Sequence, residues 1–268
     1  MTAMAIDERE ATGERRNLVQ SVSRASALLR CFSEQPPERS LTELARKTGL
    51  TASTAHRILR TLVDAGLLAH NAATERYSPG PALVELAGAV LTSPEFMGAT
   101  EILEALAVRT GETASLGIRE GNEVVILLQA ESTSWLRLNR PVGSRVPIHG
   151  SAMGKAILAF GPETPRQSVK QLGKLRELTR NTVTTPTKLV ADLEEARERG
   201  YAVVDEEQHL GLRSIAAPIL WPDGVARAAL GIAGPTSRIT LERVDEIGRT
   251  VAAAAGAIQL NPSIADQF

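Results

Sequence analysis

The stretch Leu41 to Leu68, LTELARKTGLTASTAHRILRTLVDAGLL, constrains the fold more than any other part of this chain. Leu41, Leu44 and Ala45 recur at the spacing of one helical face, the run stops at Gly49, and Ala55, Ile58, Leu59 and Leu62 repeat the pattern. Two short helices must therefore share one core across a sharp turn, the arrangement of a helix-turn-helix. Gly49 takes the positive φ that ends the first helix, and Thr51 or Ser53 caps the second by accepting its orphan N–H groups. At about 100° per residue, Ser53, Arg57, Arg60 and Asp64 fall opposite the Ala55/Ile58/Leu62 stripe, with His56 and Thr61 on the flanks. That outer face is small, polar and basic, which suits a helix that enters a major groove and offers Arg to guanine. The competing reading is a solvated amphipathic helix pair.

The next residues favour the first reading. Leu67-Leu68-Ala69-His70 and Arg76-Tyr77-Ser78 flank the turn-prone NAATE and read as a small β-hairpin. Helix, turn, helix, hairpin makes a winged helix, with Arg76 at the hairpin and Arg46, Lys47 and Arg60 around the helices as phosphate contacts. With Thr51, Ser53, Thr54, His56 and Arg57 at the front of the second helix, they form the candidate contact set for double-stranded DNA. Charge supports the division. Residues 15–80 hold ten Lys/Arg against five Asp/Glu, whereas 81–268 hold 19 against 22. A local positive excess attracts phosphate, and a mildly acidic remainder argues against nucleic acid there.

A chain of 268 residues, 43% hydrophobic and 23% charged, is long enough for two domains of an ordinary soluble protein. Residues 1–16 alternate charges without an apolar face and read as a disordered tail. They also lack the apolar core of a signal peptide, and no later apolar run approaches a membrane span, so a cytoplasmic location is expected. The single cysteine, Cys31, excludes an intramolecular disulfide framework and lies in an apolar helical pattern as a core residue. Leu18 to Ser33 forms the first helix of a DNA-binding domain spanning 17–80, ended by Gln35-Pro36-Pro37. Within 81–92, Leu83, Leu86, Ala87 and Val90 make a connector helix whose stripe needs burial, against a partner chain or its own domain.

From Ser93 helices and β runs alternate, marking a second domain over 93–260 followed by a short tail at 261–268. Glu95 to Arg109 reads as a helix, Thr113–Arg119 and Glu123–Gln129 as a hairpin, and Trp135–Asn139 as a further strand. Ser151–Phe160 is a short helix. Thr187 caps another that stops at Gly200, and Tyr201–Val204 is a strand. Ile215–Leu220 and Ala226–Ala233 pair around Pro222-Asp223-Gly224, and Leu241–Ala257 closes the chain as a helix. The expected class is α+β with helices flanking a mostly antiparallel sheet.

Three segments, GSRVPIHGSAMGKAILA at Gly143–Ala159, RERGYAVVDEEQHLGLRSIAAPI at Arg197–Ile219 and GIAGP at Gly231–Pro235, resemble the hallmark segments of the IclR family of bacterial transcriptional regulators. The likeness covers roughly residues 20–257. It implies an N-terminal winged helix, a linker helix that dimerises, and a C-terminal GAF-like domain that binds a small effector and often assembles dimers into tetramers. Carried over by motif, the effector positions are Ala152, Met153, Val204, Leu212, Ser214, Gly231 and Ala233. The chain departs from the family's small-acid binders, with Val204 in place of Asp and Gly231 and Ala233 in place of Ser. These positions read either as a pocket or as sheet-core sites kept small by packing.

Other chemistries fit the residues poorly. The two glycines of Gly150-Ser-Ala-Met-Gly154-Lys155 are one residue too close for a phosphate loop, and Ala156 stands where a Mg²⁺-binding hydroxyl belongs. Asp205, Glu206, Glu207 and His209 at a strand end read as solvated groups rather than a metal cluster. Ser151 near His149 lacks the turn of a nucleophile elbow. No cofactor, metal or catalytic residue is expected. What the Gly150–Ala159 segment offers is free N–H groups at a helix start, favourable to an anion.

The sequence thus points to a ligand-responsive DNA-binding regulator, a repressor of a catabolic operon, acting as a homodimer or dimer of dimers on an inverted-repeat operator. With the polar groups replaced at Val204, Gly231 and Ala233, the effector is expected to be bulkier than a small keto acid, an aromatic acid or amide. The alternative is an enzyme built on the C-terminal domain with the winged helix as a protein-interaction module.

Overall fold

The computed structural model describes residues 19–33, 36–138 and 140–258. The tails expected at 1–16 and 261–268, the Leu18 start of the first helix, its Gln35 stop and the Asn139 end of a strand lie outside the described residues. The chain divides after Leu91 into two compact units.

The first unit contains α1 (Gln20–Arg30), β1 (Arg39–Ser40), α2 (Leu41–Thr48), α3 (Ala52–Asp64), β2 (Leu68–Asn71), β3 (Arg76–Pro79) and α4 (Pro81–Leu91). Leu28, Phe32, Leu44, Leu59, Leu62, Leu68 and Tyr77 form its core, so the expected apolar stripe does face inward. Ser40 caps α2 in a reciprocal box: its hydroxyl accepts from Glu43 N at 3.3 Å, and its own N–H donates to Glu43 Oε2 at 2.7 Å. Gly49 ends α2 at φ 67°, a left-handed conformation that glycine adopts without steric cost, and Thr51 caps α3. The wing is a three-stranded sheet in the order β1-β3-β2, and β1 has no counterpart in the sequence reading. A two-residue strand carries no period to detect.

The second unit contains α5 (Pro94–Thr110), β4 (Thr113–Glu120), β5 (Glu123–Ala130), β6 (Arg145–Pro147), α6 (Ala152–Ala159), α7 (Pro165–Leu172), α8 (Pro186–Arg199), β7 (Ala202–Asp205), β8 (Leu212–Leu220), β9 (Ala226–Pro235), a 3₁₀ turn at Leu241–Arg243 and α9 (Val244–Ala257). Its six strands run β6-β5-β4-β9-β8-β7, every pair antiparallel. Leu103 and Leu106 of α5 and Ile247 and Val251 of α9 pack with Leu116, Ile215, Leu230 and Ile232 on one face. Ile157 and Leu158 of α6 and Leu189 and Leu193 of α8 pack with Ile126, Val204, Ala216 and Ala229 on the other. The result is a three-layer α+β unit.

Two expectations need correction. The described residues of Trp135–Asn139 form no strand; the edge strand is Arg145–Pro147 instead, and Trp135 is 91% exposed. Apolar character there did not signal burial, and the chain only returns to β5 where Gly143 N donates to the Ile126 carbonyl at 2.8 Å. Helix α8 starts earlier than expected, with Thr185 rather than Thr187 before it, because Pro186 suits the first helical position. Helix α7, capped by a Thr164/Gln167 box, has no counterpart among the elements expected from the sequence.

Candidate nucleic-acid interface and ligand cavity

Helix α3 buries Ala55, Leu59 and Leu62 and leaves Ser53, His56, Arg57 and Arg60 exposed. Among the described residues no carboxylate pairs with Arg46, Arg57 or Arg60, so these guanidinium groups are uncommitted. Arg46 and Lys47 are exposed at the end of α2. Two members of the expected set have structural duties. The Thr51 hydroxyl accepts from Thr54 N at 3.3 Å and donates to Thr54 Oγ1 at 2.9 Å. Arg76 bonds Glu43 at 3.2 Å and the Glu38 carbonyl at 3.3 Å, which ties the wing to the α2 cap. Glu43 is held below the usual carboxylate range by the Ser40 N–H first and the Ser40 hydroxyl second.

In the second unit a cavity lies where the start of α6 crosses β4, β9 and β8. Register explains its floor. Thr113 and Ser115 of β4 stand opposite Ala233 and Gly231 of β9, which stand opposite Ser214 and Ala216 of β8, so small side chains line one sheet face in rows. Ala152 and Met153 cover it, and Ser151, Leu138, Arg140 and Gln208 complete the wall. Ser151 caps α6 by accepting from Gly154 N at 3.1 Å, while the N–H groups of Ala152 and Met153 have no hydrogen-bond partner among the described residues. Gly154 admits no side chain because a Cβ there would collide with the Ile148 carbonyl.

Five of the seven expected effector positions, Ala152, Met153, Ser214, Gly231 and Ala233, line this cavity. Val204 and Leu212 do not. Val204 shares the sheet face but stands one strand further out, buried against the helices, and Leu212 pairs with Pro235 at the sheet end. The free volume is about 20 Å³, so the space expected for a ring at Gly231 is filled. A Cβ on Gly231 would meet Ala216 Cβ at 2.8 Å and Met153 Cγ at 3.2 Å.

Sequence reasoning missed Leu138, which it placed on a strand that does not form, Arg140 and Gln208, which come from irregular segments without a periodic signal, and Ser115, which strand alternation could have flagged. Arg140 donates to Gln208 Oε1, and burial pushes its guanidinium down to about 10. The acidic group also differs from expectation. Glu207 is buried rather than solvated: with Asp192 it holds Lys155 Nζ, each at 2.6 Å, and its Oε2 accepts from Val183 N at 3.1 Å. Asp205 pairs with Arg213 at 2.8 Å. No group of three His, Cys, Asp or Glu among the described residues is placed to hold a metal. Ser151 and His149 share no hydrogen bond: His149 Nε2 donates to the Arg176 carbonyl at 2.9 Å, and the Ser151 hydroxyl accepts from Gly154 N.

A winged helix joined to this α+β unit has clear relatives. The profile of the bacterial transcriptional regulator IclR C-terminal domain matches residues 94–260, and that of the IclR helix-turn-helix domain matches 21–72. The chain belongs to the IclR family. The transcriptional repressor IclR of Escherichia coli is 34% identical over 259 residues, covering 96% of this chain and 93% of that protein. An IclR regulator from Alicyclobacillus acidocaldarius superposes with a TM-score of 0.83 at 29% identity, over 90% of this chain and 98% of that one. An IclR homologue from Microbacterium hydrocarbonoxydans, solved with 4-hydroxybenzoate, gives a TM-score of 0.75 at 27% identity, over 88% and 97%. This IclR-family chain is a DNA-binding transcriptional regulator, and the enzyme reading falls because the family and these relatives regulate transcription. No helix among the described residues is long and apolar enough to cross a membrane.

Proposed function

We propose that the protein is a repressor that binds an inverted-repeat operator as a homodimer or dimer of dimers and leaves it when a small organic effector enters the cavity of the second unit. The observation that carries this reading is the exposed face of α3, where Arg57 and Arg60 stand without carboxylate partners. A two-fold dimer carries two such helices, and successive major grooves lie roughly 34 Å apart. The names of relatives, repressors in Escherichia coli and Salmonella typhimurium, support the sign of regulation. Ser53, His56 and Arg57 read bases, and Arg46, Lys47 and Arg60 hold phosphates. Thr51, Thr54 and Arg76 position the reading helix and the wing, and each is at least partly exposed, so that it can add a phosphate contact.

For the effector, the homologue with bound 4-hydroxybenzoate supports an aromatic acid or amide. Ala152 and Met153 would meet its polar end with their N–H groups, Ser214 would add a hydroxyl, and Gly231 and Ala233 would face its body. Val204 and Leu212 act from behind, by setting the position of β7 and of the β8 start. A cavity of roughly 150 Å³ is needed for one ring, so the ligand must displace the flexible Met153 side chain. Ligand binding is thereby coupled to the position of α6, and an equilibrium between two arrangements shifts by the difference in affinity. Footprinting on genomic fragments, repeated with 4-hydroxybenzoate and with glyoxylate, tests the whole reading. Salt-sensitive protection of a palindrome that an acid relieves is expected; turnover of a substrate without sequence-selective binding overturns it.

A further inference from the structure

Arg140 stands out in the wall of the cavity. The same cavity is lined by the uncharged side chains of Leu138, Ser115, Ala216 and Ser214, and Gln208 is hydrogen-bonded to the guanidinium. Several other arginines of this unit have carboxylates: Arg213 holds Asp205 at 2.8 Å, Arg238 holds Glu112 at 2.5 Å, and Arg145 holds Glu123 at 3.1 Å, while Arg119, half-buried outside the cavity, donates to the Gly121 carbonyl at 2.9 Å. Arg140 has no carboxylate partner among the described residues, and its one hydrogen bond goes to the neutral amide of Gln208. A guanidinium presents five donors, so most of its hydrogen-bonding capacity is unspent. Burial lowers its affinity for the proton only to about 10, which leaves it cationic at neutral pH. That charge also bears on His209, next to Gln208 in the chain, whose pKa is lowered by burial first and by Arg140 second. A sheltered cation without a counter-ion is costly, and a charge-assisted pair with an incoming anion offsets that cost.

We propose that Arg140 anchors the carboxylate of the effector, so that the ligand class is an ionised carboxylic acid and not a neutral amide, ester or alcohol. This rests on the reading of the cavity as the effector site and narrows it. Gln208 positions the guanidinium through its Oε1, and the free N–H groups of Ala152 and Met153 add donors of the same sign. An acid that docks here takes over donors now directed at Gln208, which sits on the segment that also carries Glu207, the buried partner of Lys155 on α6.

Calorimetric titration of the full chain with matched acid and amide probes tests this: 4-hydroxybenzoate against 4-hydroxybenzamide, and pyruvate against pyruvamide. In the bound pair, the acid should win by about 10- to 100-fold, the worth of one hydrogen bond to a charged group. Arg140→Gln should bring the acid down to the level of its amide and leave the amide unchanged, and Arg140→Lys should keep part of the preference. The wild-type comparison is decisive even if the variants fail to fold. Equal binding of an acid and its amide would overturn the anchoring role and leave the cavity reading standing. Absence of binding by every probe would overturn the cavity reading and this inference together.

Discussion

Arg57 and Lys155 show how the same kind of charge does opposite work in the two units. Arg57 is exposed and unpaired on α3, so its value lies in a partner outside the chain. Arg57→Ala should cost about 1–3 kcal/mol of specific operator binding and relax the preference at one half-site position, measured by competition binding at fixed salt. An unchanged preference would remove α3 as the reading element. Lys155 is only 1% exposed and is neutralised internally by Asp192 and Glu207. Lys155→Met strands two carboxylates beside each other and should destabilise the second unit by about 3–5 kcal/mol in denaturant unfolding. Adding Glu207→Leu to that variant should recover part of the loss, since the deeper carboxylate is then gone. If Lys155→Met unfolds like the wild type, the triad is not a structural tie.

Among the elements, α2 depends on a cap that titrates. Glu43 is lowered by its hydrogen bonds to Ser40, so its folded value lies below the unfolded 4.5. A depressed carboxylate stabilises the folded state above its unfolded value, and that contribution is lost as pH falls from 4.5 through the folded value. Melting of the DNA-binding unit should therefore drop more steeply below pH 4.5 in the wild type than in Glu43→Gln, which keeps a side-chain acceptor without the charge. Parallel curves for the two proteins would assign the acid sensitivity elsewhere. Arg76 shares Glu43, so the same titration loosens the wing from α2. The cavity is likewise a property of elements in register: small residues on β4, β8 and β9 share one face only because the pairs Ser115↔Gly231 and Ala216↔Gly231 align.

For the whole molecule, α4 is the element that a single chain leaves unsatisfied. None of its residues is buried, and Val84, Leu86, Val90 and Leu91 are 74%, 61%, 52% and 44% exposed. Leu86 and Val90 lie one turn apart on one face, and such a face in a two-fold regulator is expected to dimerise the chain, as the proposed operator symmetry requires. Leu86→Glu combined with Val90→Glu should shift sedimentation towards monomer and weaken operator binding, because each half-site then binds alone. A double variant that stays dimeric would place the interface on another surface. Removing residues 1–91 should leave a folded unit that still binds an acid, consistent with the compact division after Leu91.

Periodicity made the helix-turn-helix, the wing hairpin and the two central hairpins of the sheet legible, because each buries one face and so writes its period into the residues. Caps with a chemical signature, Gly49 and Thr51 among them, were legible for the same local reason. Motif likeness located the α6 start and the small residues Gly231 and Ala233, yet it could not say that Met153 fills the space above them. Nor did any local pattern mark Arg140 or Gln208, or the burial of Lys155 with Glu207 and Asp192. These groups lie far apart in the chain and meet through packing of α6, α8 and the loop before β8, and their energetics depend on desolvation and on partners. The exposed face of α3 could be read along the sequence because it is one helix long; the cavity could not, because its walls are assembled from six separate segments.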